Sequence, residues 1–316
     1  MPFEKSHKMT HPVLLVIVGP TAVGKTELCL QLARHYGSEI ISTDSRQFYR
    51  EMTIGTAKPT PDELNQVPHH LINSLSVTDE YDVKQFEQNA LHILQRLFLH
   101  QPVVIAAGGS GLYVKTLCEG IDPMPDIKDD IRLYWSEQHK KRGLNFLLDE
   151  LQRVDPIYYQ EVDRQNHRRV LRALEVYHSA GRPFSEFRQQ TPSQNRPFNM
   201  LKIGLTRDRE ALYQRINQRV DMMLAAGLEA EAQSLLPYQH HNALHTVGYQ
   251  EWFPYFAGQY DREEAIRLIK RNSRRYAKRQ WTWFRKDESI TWFDASEPSD
   301  RLLSDVVQHI DQQQPL

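Results

Sequence analysis

Residues 13–26 read Val-Leu-Leu-Val-Ile-Val-Gly-Pro-Thr-Ala-Val-Gly-Lys-Thr, an apolar run breaking into an octet that fits G-x-x-x-x-G-K-[ST]. An unbroken run of Val, Leu and Ile suits a strand buried on both faces, and Leu28, Leu32, Ala33 and Tyr36 then recur at helical spacing. A strand, turn and helix in this order build a phosphate cradle. Gly19 and Gly24 let backbone N–H groups turn inward, with Pro20, Thr21, Ala22 and Val23 spanning the loop between them. Lys25 supplies a point charge, and the Thr26 hydroxyl stands where it can hold Mg²⁺. A ligand-free Gly-rich turn is the plain alternative, and the flanking strand and helix argue against it.

Outward from the cradle, the pattern predicts a helix to about residue 36, strands at 39–43, 70–75 and 103–107, and a long amphipathic helix from about Asp82. Gly108-Gly109-Ser110 then opens a further helix. Strands alternating with helices imply a parallel sheet covered on both faces, with ligands at the carboxyl ends of its strands. From Pro123 only helices are expected, at 129–142, 144–153, 156–163 and 167–180, followed by a loop rich in Pro, Gln and Ser at 191–197. An apolar strand at 200–205 returns to the sheet, followed by a helix at about 208–226, a basic helix near 262–280, a short strand at 290–293 and a terminal helix. The fold class is therefore α/β, a P-loop NTPase-like core from 1–122 plus 198–316, with a mostly helical insertion at 123–197.

The chain has 316 residues with a net charge of −1, and no apolar run approaches the roughly 20 residues that span a bilayer. Its N-terminal segment, Met1 to His11, is polar and carries no signal-peptide core, so a cytoplasmic protein is expected. Cys29 and Cys118 fall in helical patterns and form neither a disulfide framework nor a zinc site. The paired His69 and His70 lack a third ligand at useful spacing, which favours packing and hydrogen bonding over metal ligation. The near-neutral balance hides a local excess: residues 262–286 hold ten Lys or Arg against two Glu. Such an excess suits a polyanionic partner.

Asp44 ends the second strand, beside the cradle, where a general base or a magnesium-organising acid would sit; capping of the turn at Ser45 is the competing reading. The strand ending in Gly108-Gly109-Ser110 carries no magnesium aspartate of the kind a nucleotide hydrolase often uses. Trp281, Trp283 and Phe284 offer stacking surfaces beside Lys278, Arg279 and Arg285, although aromatic core next to a solvated basic face gives the same pattern.

The blocks GPTAVGKT (19–26), STDSRQFYREMTIGTAKP (42–59), GGSGLYVKTL (108–117), RRVLRALEV (168–176), TRDREALYQRINQRVDMML (206–224), HTVGYQE (245–251) and KRQWTWFR (278–285) span nearly the whole chain. In order and content they resemble the tRNA dimethylallyltransferases. The resemblance implies that the cradle takes the diphosphate of dimethylallyl diphosphate, with Thr21, Lys25 and Thr26 as diphosphate and magnesium ligands. Asp44 becomes the base for the exocyclic amine of the adenine beside the anticodon, and Arg219 the arginine that neutralises the leaving group. It further places tRNA contacts at Asp44, Ser45, Arg46 and Gln47, at Ser110 and Arg132, and at Arg168, Arg169, Val170, Leu171 and Arg172. Two later blocks complete them, His245, Thr246, Val247, Gly248, Tyr249 and Gln250, then Lys278, Arg279, Gln280, Trp281, Thr282, Trp283, Phe284 and Arg285. Arg168, Arg169 and Arg172 share a helix face that Glu175 can partly neutralise.

The expected partners are a tRNA anticodon stem-loop and the prenyl donor, with Mg²⁺ as cofactor and neither a membrane nor an obligate protein partner. Ser110 stands where threonine is usual, and Val23 where a small polar residue is. A small-molecule kinase shares the cradle and the sheet, and prenylation of free adenine nucleotides shares the core motifs. A nucleic-acid-binding regulatory NTPase is a third alternative. The basic blocks favour tRNA.

Overall fold

Val13 to Val18 form the central strand of a six-stranded sheet, and all six side chains are buried. The computed structural model describes residues 12–188 and 196–313; the N-terminal segment and residues 191–195 of the polar loop lie outside them. In chain order the elements begin with β1 (Val13–Val18), α1 (Lys25–Tyr36), β2 (Ile40–Ser42), α2 (Pro61–Gln66), β3 (His69–His70), α3 (Val83–Leu97), β4 (Val103–Gly108) and α4 (Gly111–Glu119). Then follow α5 (Asp129–Val154), α6 (Pro156–Glu161), α7 (His167–Ala180) and α8 (Phe184–Phe187). The chain continues through β5 (Asn199–Thr206), α9 (Arg209–Ala225), α10 (Leu228–Ser234), α11 (Trp252–Phe256), α12 (Arg262–Phe284), β6 (Ile290–Asp294) and α13 (Ser299–Gln313). Strand order is β3-β2-β4-β1-β5-β6 and every pairing is parallel.

The period-2 alternation of β1 divides the core. Val13, Leu15 and Ile17 pack with Leu28 and Leu32 of α1, Ile216 of α9 and Val306 of α13. Leu14, Val16 and Val18 pack with Phe86 and Leu94 of α3, Leu117 of α4 and Phe284 of α12. Each such side chain contributes about 1.5–3 kcal/mol by leaving water, so a strand apolar at every position is held from both sides. Among the described residues no helix is long and apolar enough to cross a membrane.

One element differs from expectation. The strand expected at 70–75 ends at His70 because Leu71 and Asn73 adopt positive φ of 59° and 54°, which breaks the pleat. The break expected between helices at 129–142 and 144–153 is present inside α5, where Gly143 has φ 77° and ψ −179° and divides it into two helical stretches.

The chain divides into two compact units at Cys118/Glu119 and Gln194/Asn195. The smaller is built from α5 to α8 around Trp135, Leu147, Leu151, Val170 and Leu174. Its buried Asp155 accepts from the backbone N–H of Tyr158 at 3.0 Å and of Ser185 at 2.8 Å, tying α6 to α8. Such a doubly used carboxylate caps a helix start and closes a loop at once.

In the larger unit, Gly108 closes β4 against Thr43, and a Cβ there would lie 2.2 Å from Thr43 Oγ1 and 2.6 Å from its carbonyl carbon. Gly108→Ala is therefore expected to destabilise the protein by about 1–3 kcal/mol, because backbone as well as side chain must move. Denaturant titration checks this, and an unchanged midpoint would show that the strand ends slide freely.

Candidate active site

The turn after β1 is drawn inward by its own backbone. Gly19, Ala22 and Gly24 have positive φ of 145°, 64° and 124°, and at Gly19 a Cβ would lie 2.7 Å from the Leu205 carbonyl oxygen. Lys25 enters from the first residue of α1, and its Nζ donates to the carbonyls of Gly19 at 2.9 Å and Pro20 at 2.8 Å. Two arginines one turn apart on α9 grip the same loop: Arg215 Nε donates to the Ala22 carbonyl at 2.9 Å, and Arg219 reaches Thr21 Oγ1 at 3.4 Å. Burial, then the neighbouring Arg219, lowers the Lys25 pKa to about 8 against the pull of Asp44. Val23 is fully buried, so its departure from a small polar residue is absorbed by the core.

Asp44 follows the short β2 and lines the same cavity of about 320 Å³ as Thr21, Lys25, Thr26, Arg215 and Arg219. Its Oδ1 accepts the Arg46 N–H at 2.9 Å, so one oxygen does cap the turn. Burial raises its pKa against that hydrogen bond and the charges of Lys25 and Arg46. Next to it, Ser45 N–H donates to Ser110 Oγ at 3.0 Å, tying the β2 turn to the turn after β4. A recessed carboxylate with a raised pKa in a cleft is suited to accepting a proton.

The fourth wall is helix α12. Ile269, Ser273, Tyr276 and Gln280, at spacings of four, three and four, all line the cavity, which is one face of a helix. Gln280 is 6% exposed; its Oε1 accepts from Thr21 N–H at 2.8 Å and its Nε2 donates to the Gly109 carbonyl at 2.9 Å. Burial, with Asp44 nearby, pushes the Tyr276 phenol up to about 12, so it stays protonated.

The residues expected to touch tRNA separate by burial. Val170 and Tyr249 are fully buried, Phe284 nearly so and Gln280 largely so; they are packing or strut residues, not surface contacts. Tyr249 donates to Glu231 Oε1 at 2.6 Å, and the Glu231 carboxylate also accepts from the backbone N–H groups of Thr53, Ile54 and Gly55. That lock holds the IGTAKP segment. Gln47 takes its amide to the carbonyls of Thr56 and Ala57 and accepts from Ser42 Oγ, yet still lines the cavity with Arg46, Thr246, Val247 and Gly248. Leu171 is half-buried against the helical core, and His245 and Gln250 are exposed. Trp281 is half-buried edge-to-face on Trp292 at 4.7 Å, whereas Trp283 is 40% exposed. His69 and His70 bond the Val67 carbonyl and Glu39 respectively.

Charge sorts likewise. Arg262, Arg267 and Lys270 pair with Glu229, Glu264 and Asp221. Arg275, Lys278, Arg279, Arg285 and Lys286 are exposed and, among the described residues, in no ion pair, which narrows the basic excess to the end of α12 and the residues just after it. In the smaller unit Arg168 and Arg169 are exposed, and Glu175 lies within electrostatic reach of Arg172 and Arg132. Arg215, Ser273 and Tyr276 escaped sequence reading; the signal for each was its helical spacing from Arg219 or Gln280.

Residues 47–287 match the model of the IPP transferase family. The chain is 48% identical over 291 residues to tRNA dimethylallyltransferase 1 of Bacteroides thetaiotaomicron, covering 92% of this chain and 94% of that one. Among solved structures it resembles the full-length tRNA isopentenylpyrophosphate transferase of Bacillus halodurans, with a TM-score of 0.72, 37% identity and 96% of each chain covered. A eukaryotic dimethylallyltransferase acting on tRNA aligns with a TM-score of 0.79 and 27% identity, over 95% of this chain and 80% of that one.

Because Lys25 in the free protein loses its proton near pH 8, diphosphate affinity is expected to fall as pH rises through that value. The charged form is the one an anion needs, and it dominates only below the lowered pKa. Calorimetric titration with inorganic diphosphate from pH 6.5 to 9.5 checks this; Lys25→Met should bind weakly with a flatter profile. A wild-type profile that is level across pH 8 would remove Lys25 from anion binding.

Proposed function

Because the chain belongs to the IPP transferase family, we propose that it transfers a dimethylallyl group from dimethylallyl diphosphate to the N6 amine of the adenine 3′ to the anticodon of tRNA. One observation carries the proposal: a phosphate cradle flanked by Lys25, Arg215 and Arg219 shares its cavity with the recessed carboxylate of Asp44. Cations gather where a diphosphate departs, and a base waits where a proton must be lost. The relatives named for tRNA, and the unpaired basic surface at the end of α12, favour tRNA over a kinase acceptor or a free nucleotide.

The chemistry follows from the charges. The allylic carbon–oxygen bond breaks with its electron pair leaving on the diphosphate, and the adenine nitrogen attacks the same carbon. Lys25, Arg215 and Arg219 stabilise the negative charge as it builds on the leaving oxygens, the largest contribution asked of the protein. Asp44 accepts the proton that the amine sheds on bonding to carbon. The Thr26 hydroxyl, exposed at the start of α1, suits Mg²⁺, which would be held through few protein oxygens together with substrate phosphates. Bound there, the ion would supply further neutralisation of the diphosphate.

A target adenine inside the anticodon loop must leave its stack, and it does so most cheaply from a single-stranded loop. Arg168 and Arg169 on α7, and Lys278, Arg279 and Arg285 at the end of α12, would hold backbone phosphates, with Trp283 as an exposed stacking surface. Such a protein works in the cytoplasm, where tRNA and the prenyl donor meet.

Mass spectrometry of nucleosides from tRNA incubated with the protein, Mg²⁺ and dimethylallyl diphosphate tests the proposal directly. One added prenyl group on adenosine is expected, and its absence sinks the reading. In single-turnover experiments with both substrates saturating, Asp44→Asn should slow transfer by about 10²- to 10⁴-fold, the usual range for a lost general base. A rate within about threefold of wild type would leave Asp44 as a turn cap alone. Arg279→Ala and Arg168→Ala should each lower the slope of log K against log salt for tRNA by about 0.7–0.9 in magnitude, with donor binding nearly constant. Unchanged slopes in both would return those residues to the solvated surface.

A further inference from the structure

Gln280 directly follows Lys278 and Arg279, both exposed and basic, yet its own side chain is turned inward and buried. It accepts from the Thr21 amide and donates to the Gly109 carbonyl, using both ends of the carboxamide on backbone atoms of two different turns. Gly109 has no room for anything else: a Cβ there would lie 2.1 Å from Gln280 Nε2. The two turns lead to opposite sides of the reaction. Thr21 belongs to the diphosphate cradle, and its hydroxyl is also held by Arg219. Gly109 precedes Ser110, whose Oγ accepts from Ser45 beside Asp44. A chain of hydrogen bonds thus runs from the cradle through Gln280 to the turn that carries the base.

We infer that Gln280 is a positioning residue for the transfer reaction, setting the spacing between the diphosphate cradle at Thr21 and the proton-accepting turn at Ser45 and Asp44. The inference rests on the prenyl-transfer reading and gives this cavity-lining residue a role exercised through the two turns it braces. A glutamine is suited to it because one planar group offers an acceptor and a donor in fixed relation, and a buried amide or carbonyl left unmatched is destabilising. Misplacement by a fraction of an ångström is felt in the chemical step far more than in tRNA binding, since positioning within a near-attack geometry controls rate.

Three substitutions separate this role from a packing role and from a tRNA contact. Gln280→Met keeps the shape and removes both hydrogen bonds; single-turnover transfer at saturating substrates should fall by about 10- to 100-fold while the tRNA Kd in a gel-shift assay stays within about twofold. Gln280→Glu keeps the acceptor for Thr21, but when ionised it loses the donor to Gly109 and sets an anion beside the cradle. Protonation of the introduced carboxyl restores an O–H donor, so the ratio of variant to wild-type rate should rise as pH falls from 8 to 6. Ser110→Ala, which breaks the next link to Ser45, combined with Gln280→Met should cost less than the product of the two single losses, because both release the same turn.

A tRNA Kd that rises while the saturated rate stays at the wild-type value would overturn the inference in favour of a nucleic-acid contact. So would a Gln280→Glu ratio that is flat with pH, and that variant decides the matter even where Gln280→Met melts below the assay temperature. Failure of the wild-type protein itself to prenylate tRNA would instead overturn the reading on which the inference rests.

Discussion

The interaction on which the site depends is the closure of Lys25 onto the carbonyls of its own loop. Nζ donates to Gly19 and Pro20, and the loop can bend that far only because Gly19, Ala22 and Gly24 take positive φ. Once the lysine is inside, its charge lies in a recess shared with Arg219, and both groups are pushed toward their neutral forms by burial. Mutual repulsion among cations in a low-dielectric recess is unfavourable in the free protein. A bound anion would relieve it, which suits the recess to a polyanionic ligand.

Helix α12 solves a second problem with a single geometry. One face of the helix carries uncompensated positive charge in water, and another presents buried, neutral, hydrogen-bonded groups to the cavity. Helical spacing lets both occupy 23 residues: Ile269, Ser273, Tyr276 and Gln280 face the cavity, while Arg275, Lys278 and Arg279 stay in solvent. In the first half of the helix Arg262, Arg267 and Lys270 pair with Glu229, Glu264 and Asp221, while the exposed cations without an ion pair among the described residues lie at Arg275 and beyond. Arg279 lies over the Tyr276 ring, with 5.7 Å to the centroid, which keeps a surface cation in contact with the cavity wall.

Where physical patterns are local, the sequence was readable. The apolar run 13–18 became the central strand, Asp82 and Asp208 became helix caps that accept backbone N–H groups, and the octet became the cradle. The strand expected at 70–75 failed because positive φ at Leu71 and Asn73 leaves no compositional trace when the residues are not glycine. The roles of Gln280, Tyr249 and Glu231 were illegible for a different reason. Each depends on a partner far along the chain, at separations of 259, 18 and up to 178 residues, and polar residue types say nothing about which way they turn. The resemblance placed Gln280 and Tyr249 among the tRNA contacts, and the structure buries both side chains, so a block can be needed for its interior as much as for its exterior.

The same distinction bears on how the active site holds its shape. IGTAKP touches the cavity through Gly55, Thr56, Ala57 and Pro59, but what holds it is Glu231, an acid on α10 that caps three consecutive backbone N–H groups. Tyr249 closes that lock, and its ring lies so near Gly55 that a Cβ there would come within 2.5 Å. Glu251 does the corresponding work for the next segment, accepting from Gly248 N–H and Asn272 while its own carbonyl accepts from Tyr260. Two acids, Glu251 buried and Glu231 half-buried, neither of them lining the cavity, thereby fix the two loops that line it. Carboxylates are suited to this because each oxygen accepts several hydrogen bonds, so one side chain can satisfy a whole turn of otherwise unpaired amides. The rigidity of the site is therefore set one layer behind the cavity wall.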